Sequence, residues 1–116
     1  RRMHSRRVQF ITGHDINGKL PSNLNMKALS DDQATTAVFM GTRTFVELAK
    51  KLIFFGLSKS TPTIFAESVS TPKENIIKAS MEELILILEK NKTSSNLPAI
   101  IIYGALMDLS DLRKND

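Results

Sequence analysis

The sequence predicts an α/β fold, a mixed, open sheet of about five strands flanked by helices. Three observations lead there. Five short runs are rich in β-branched or apolar residues, and most of them stop at a Gly or start beside a Pro. Two longer segments place apolar residues at helical spacing behind a capping-box pattern. These helical segments alternate with the strand runs instead of collecting at one end of the chain, the arrangement of α/β folds.

Taken in order, RVQFIT at Arg7 to Thr12 reads as a strand ending at Gly13. The next segment, GHDINGKLPSNLN, has the Gly, Pro and Asn content of a loop. Asn25 can cap a short helix over Met26 to Leu29, which the Ser30-Asp31-Asp32 cluster breaks before a second strand, Thr36 to Met40. After Gly41, Thr44 and Glu47 fit a capping box, with Phe45, Leu48, Ala49, Leu52 and Ile53 on one helical face and Gly56 as a left-handed stop. Pro62 announces a third strand, Thr63 to Ala66. A turn at Ser70-Thr71-Pro72 separates it from a fourth, Glu74 to Ala79.

The run Leu84 to Leu88 alternates like a strand. Ser80 and Glu83 form a second capping box, however, and the acidic first turn and Lys90 near the end favour a helix. Pro98 to Tyr103 is the most continuous apolar strand, expected to be covered on both faces, and it ends at Gly104. Leu106, Leu109 and Leu112 then recur at spacing three, consistent with a short terminal helix or an edge segment.

Composition narrows the function classes. A chain of 116 residues with 41% hydrophobic content forms one ordinary domain. With no Cys and two distant His residues, disulfides and Cys-based metal sites are excluded and a metal centre is not expected. No apolar run nears the roughly 20 residues of a membrane span, so a soluble, cytoplasmic setting without a membrane partner is expected. The formal charge of +4 looks like an invitation to an anion. Arg1, Arg2, Arg6 and Arg7 supply all of it, and the rest of the chain is neutral. Aromatic residues are 6% with no Trp, so a nucleic-acid partner is not expected, and the Arg-rich start reads equally as a solvated tail.

No catalytic centre emerges from the residues. His4 and His14 have no motif that places them beside a nucleophile, and neither a Walker loop nor a GxGxxG is present. The pairs Asp31/Asp32 and Glu82/Glu83 sit where helix breaks and first turns want them. What remains is geometric: Met40-Gly41, Ala66 to Ser70, and Tyr103-Gly104 all fall at strand ends, where ligands of open α/β sheets bind. Met40 reads either as a soft contact for a ligand or as a core residue before a turn.

The segments VQFITGHD, LPSNLNMKALSDDQATTAVFMGTRTFVELAKKLIFFGL, TPTIFAESVSTPKE and LPAIIIYGAL, in this order and spacing, resemble the carboxyl-terminal half of the tetrapyrrole methylases. Within that family they are most similar to the uroporphyrinogen-III C-methyltransferases, including the methylase module of sirohaem synthase. The resemblance runs from about Arg2 to Leu112 and implies an S-adenosyl-L-methionine-dependent methyltransferase of two α/β domains with the cofactor between them. The implied reaction turns uroporphyrinogen III into precorrin-2, for sirohaem or cobalamin, and releases S-adenosyl-L-homocysteine. Because a sulfonium methyl is already a strong electrophile, alignment with an electron-rich pyrrole carbon supplies much of the acceleration.

The resemblance carries cofactor contacts over to Met40 and to the loop from Ala66 to Ser70, including Val69. It departs from the family at Val69, where a Gly is usual, at Glu74, where a Gln is usual, and at Phe39, where a Tyr is common. Arg2 matches an Arg in the family's approach to this half, with neither neighbour matching. The family's acidic catalytic residue and phosphate-loop-like strand end belong to the other half. Residues 1–7 are therefore expected to be an interdomain segment, 8–112 the carboxyl-terminal domain and 113–116 a tail. No catalytic residue and no amino-terminal catalytic domain are expected here, and the fragment alone should be inactive. The family also implies a homodimer. A related methylase of RNA or protein, or a non-catalytic dimerisation domain, are the other readings.

Overall fold

A computed structural model describes residues 7–12, 23–67, 72, 75–90 and 98–105 of the chain. The elements run β1 (Arg7–Thr12), α1 (Met26–Leu29), β2 (Ala34–Gly41), α2 (Thr42–Phe54), β3 (Pro62–Glu67), β4 (Asn75–Ser80), α3 (Met81–Lys90) and β5 (Pro98–Gly104). The strands form one mixed sheet in the order β1-β2-β5-β3-β4. β1 and β2 are parallel, whereas β5 lies antiparallel to both β2 and β3, and β4 is antiparallel to β3. The expected mixed, open five-stranded sheet is therefore present.

Local chemistry explains most boundaries. The Asn25 side chain accepts from the Ala28 amide at 3.1 Å and starts α1. At α3 the capping box is reciprocal: the Ser80 amide donates to Glu83 Oε1 at 3.0 Å and the Glu83 amide to Ser80 Oγ at 3.2 Å. This confirms the helix over the alternating LILIL run. At the end of α2, Gly56 takes φ +107°, its amide donates to the Ile53 carbonyl and the Leu57 amide to the Leu52 carbonyl, each at 3.0 Å. That pattern is a Schellman stop, with buried Leu57 completing it.

The start of α2 departs from expectation. The helix begins at Thr42, and Gly41, in extended conformation, is its cap with no side-chain bond. Thr44 thus sits inside the first turn instead of capping it, because β2 runs straight into the helix with no intervening loop. β2 itself begins at Ala34, two residues before the expected start.

Period-two alternation divides the sheet faces. Val38 and Met40 of β2, Ala99, Ile101 and Tyr103 of β5, and Phe65 of β3 point to one side, where they form a core with Phe45, Leu48, Ala49 and Leu52 of α2 and Met81, Leu84, Ile85 and Leu88 of α3. Each fully buried Leu or Phe contributes about 1.5–3 kcal/mol of transfer free energy. Tyr103 carries its hydroxyl into this core and donates to the Leu29 carbonyl at 2.8 Å, pinning the end of α1. Gln9 ties α1 from the other side, donating to the Ala28 carbonyl at 2.8 Å and to Thr36 Oγ1 at 2.9 Å.

The opposite sheet face corrects a second expectation. β5 is not covered on both sides among the described residues: Ile100 is exposed and Ile102 half-buried. Their neighbours are apolar too. Register places Phe10, Ala37, Ile102 and Ile64 on one row and Phe39, Ile100, Ala66 and Ile76 on the next. With Val8 at 76% and Phe10 at 65% exposure, the described residues leave a broad apolar surface. The continuous apolar run in β5 signals a central strand. It does not say what covers its second face.

Two further positions fix this sheet. Gly104 takes φ +113°, and a Cβ there would lie 2.1 Å from the Ala34 carbonyl oxygen, so only Gly lets β5 turn away beside β2. Arg7 belongs to β1 and not to a preceding linker; its guanidinium meets Asp31 Oδ2 at 2.9 Å. The remaining arginines of the basic start, together with Leu106, Leu109 and Leu112, lie outside the described residues. No helix among the described residues is long and apolar enough to cross a membrane.

Candidate functional site

Strand direction sorts the three candidate strand ends. β1, β2 and β3 all run the same way, so Thr12, Gly41 and Glu67 lie at one end of the sheet, together with the start of β5 at Pro98 and of β4 at Asn75. Tyr103-Gly104, at the far end of an antiparallel strand, lies at the opposite end. It therefore leaves the candidate site, whereas Met40-Gly41 and Ala66 stay together. Between β2 and β3 at this end the antiparallel strand β5 begins, and the carboxyl ends of β1, β2 and β3 lie together on the side where open α/β sheets hold ligands.

The residues at this end fall on two sides. Met40, Ala99, Glu67 and Asn75 share the last complete rung of the sheet. Phe39, Ile100 and Ala66 share the rung before it and face the other way. Met40 and Ala66 thus meet at the same sheet end on opposite faces. Met40, at 1% exposure, is packed in the core, so its side chain forms the floor of the site and does not project from it. Ala66 is half-buried on the open face, and Val69 lies outside the described residues.

The rung holds a residue that the sequence reading placed only within the Ala66 to Ser70 segment, without singling it out. Glu67 is the charged residue among the buried ones, at 7% exposure, and its Oε2 has no hydrogen-bond partner. Ala99 separates it from Met40, leaving two side chains roughly 10 Å apart at the backbone with only a methyl between them. Thr42, in the first turn of α2 immediately beyond Gly41, is 3% exposed and its hydroxyl is likewise without a partner. Buried polar atoms are normally satisfied, so two orphans beside one sheet end mark a place that lacks a polar companion. The signal for Glu67 was present in the sequence: it falls in phase with Thr63 and Phe65, both buried.

The other end of β1 and β2 carries a shallow depression lined by Arg7, Asn25, Lys27, Ala28 and Asp31. Arg7 is occupied there, reaching both Asp31 and, at 3.4 Å, the Ala28 carbonyl.

No family model matches the chain. Among curated proteins it is 30% identical over 110 residues to a siroheme synthase of Chromobacterium violaceum, covering 95% of this chain and 23% of that protein. It is also 30% identical over 105 residues to the S-adenosyl-L-methionine-dependent uroporphyrinogen III methyltransferase of Arabidopsis thaliana chloroplasts, covering 90% of this chain and 28% of that protein. The chain thus spans about a quarter of the length of these relatives. Among solved structures, uroporphyrin-III C-methyl transferase from Thermus thermophilus complexed with S-adenyl homocysteine superposes with a TM-score of 0.63 at 29% identity, over 90% of this chain and 44% of that one. Sequence and fold agree along nearly the whole chain, which is therefore similar to the carboxyl-terminal portion of the uroporphyrinogen-III C-methyltransferases of the tetrapyrrole methylase family.

Proposed function

We propose that this chain supplies one wall of the S-adenosyl-L-methionine site in a uroporphyrinogen-III C-methyltransferase, which makes precorrin-2 for sirohaem or cobalamin. The observation that carries the reading is the match along nearly the whole chain to C-methyltransferases, coincident with two unpartnered buried polar atoms at the sheet end where such folds hold ligands. The residues at that end fit the cofactor. Glu67 and Thr42 offer polar atoms to a ligand rich in hydroxyl and amino groups, Met40 and Ala99 offer an apolar floor, and Gly41 keeps the backbone accessible. Ala66 stands at the same sheet end, and the family resemblance adds Val69 from the segment that follows.

The cofactor supplies an activated methyl group. The work of this chain is to bind and orient it, excluding water with the packed floor beneath, so that little covalent chemistry is asked of its side chains. The acid or base that handles the pyrrole proton belongs elsewhere in the protein, and the isolated chain is inactive. A cytoplasmic, homodimeric enzyme completes the proposal. Support for association comes from the apolar sheet face, which exceeds the scattered exposed residues of an ordinary monomer surface. Calorimetry with S-adenosyl-L-homocysteine on the full-length polypeptide that carries this chain tests the reading. Micromolar or tighter binding is expected, and a folded protein that takes up none sinks it.

A further inference from the structure

We propose that Glu67 binds the adenosyl group directly, its carboxylate accepting hydrogen bonds from the ribose hydroxyls. The proposal rests on the cofactor reading above and names the residue and the ligand group where the family resemblance gave only the segment from Ala66 to Ser70.

Three observations converge on it. The first is energetic: a carboxylate oxygen buried without a partner costs several kcal/mol unless something donates to it, and a core position is otherwise filled by an apolar residue. Glu67 stands in such a position, in phase with buried Thr63 and Phe65, with Oε2 unsatisfied. The second is placement. Glu67 is the last residue of β3 and shares its rung with Met40 across Ala99, at the end of the sheet where β2 passes into α2. The third is chemical. An ionised carboxylate only accepts, and the unpartnered Oε2 suits a hydroxyl donor of a vicinal diol. A carboxylate at the carboxyl end of a sheet strand is a recurrent partner of nucleoside ribose in α/β folds. Thr42, the other orphan beside this end, can both donate and accept and so serves a second polar group of the same ligand.

The test is calorimetric titration of the full-length polypeptide and its Glu67→Gln variant with three ligands: S-adenosyl-L-homocysteine, its 2′,3′-dideoxyribose analogue and its analogue lacking the α-amino group. The variant should bind S-adenosyl-L-homocysteine about tenfold more weakly, as expected for loss of a charge-assisted hydrogen bond. It should show the same loss with the deaminated analogue and almost none with the dideoxy one. An undiminished loss with the dideoxy analogue would overturn the ribose assignment, as would wild-type affinity in the variant. Thermal melting supplies the control. Without ligand the variant should melt at or above the wild-type temperature, since Gln replaces a buried carboxyl whose Oε2 lacks a partner, and its ligand-induced rise should be smaller. Equal ligand-induced rises in both proteins would make Glu67 a structural group only. If the wild-type protein itself fails to bind, the functional reading falls together with this one; if it binds and the variant is unaffected, only this inference falls.

Discussion

Met40 and Glu67 occupy the same rung of the sheet, both on the helix-covered face, with Ala99 alone between them. A thioether and a carboxylate thus flank the methyl side chain of Ala99. In the proposed site Met40, buried in the core, acts through shape. Replacing it by Leu conserves volume and should change stability by less than about 1.5 kcal/mol, with cofactor affinity within severalfold of wild type. Met40→Ala opens a core cavity and should cost about 2–5 kcal/mol. Urea denaturation of both variants, read beside calorimetry, checks this; a Leu variant that folds normally but loses binding would show that the sulfur itself touches the ligand.

Two glycines with nearly the same left-handed φ should respond differently to Ala. At Gly56 nothing lies within 4 Å of an added Cβ, so the penalty is conformational alone, about 1–2 kcal/mol. At Gly104 the same strain is joined by a collision with the Ala34 carbonyl, whose bond to the Ala105 amide at 2.9 Å would break. Gly104→Ala should therefore cost clearly more than Gly56→Ala. Equal denaturation midpoints for the two variants would contradict the β2–β5 register.

The α3 cap gives a pH signature. Hydrogen bonds from Ser80, the backbone amide first and the hydroxyl partner second, hold the Glu83 carboxyl below its usual value of 4.5. A lowered folded value means that the stabilisation is present above the unfolded value and lost as pH falls through the folded one. Melting temperature should fall on acidification below about pH 4.5, less steeply in Glu83→Gln. Ser80→Ala removes the reciprocal bond and should cost about 0.5–2 kcal/mol at neutral pH.

Tyr103 is the alkaline counterpart. Burial pushes its phenol well above the usual 10.0, with a hydrogen bond to Thr36 pulling weakly the other way. A raised folded value gives stability that is full below the unfolded value and lost as pH rises beyond it. Tyr103→Phe should flatten that alkaline loss. It should also leave the Leu29 carbonyl unpaired, costing about 1–3 kcal/mol. An unchanged alkaline melting profile would place the hydroxyl outside the core.

The elements of this fold are legible in the sequence because their signals are local. Asn25, Gly56 and the Ser80–Glu83 pair each act within a few residues, and each behaves as its chemistry demands. What escaped is set by contacts distant along the chain. That Tyr103-Gly104 lies at the far end of the sheet from Met40-Gly41 depends on strand direction, which no strand's own residues encode. Thr44 reads as a cap only if a loop precedes it, and the direct passage from β2 into α2 removes that loop. Glu67 reads as part of the loop after the third strand until its burial beside Met40 becomes visible. The open face of β5 is a matter of which elements pack there, and an apolar run is silent on that.

The most direct measurement is methyl transfer itself. The full-length polypeptide carrying this chain, incubated anaerobically with uroporphyrinogen III and S-adenosyl-L-methionine, should yield a product heavier by two methyl groups in the mass spectrum, and the 116-residue chain alone should yield none. A folded full-length protein that leaves uroporphyrinogen III unmethylated, or an isolated chain that methylates it as fast, would contradict the account.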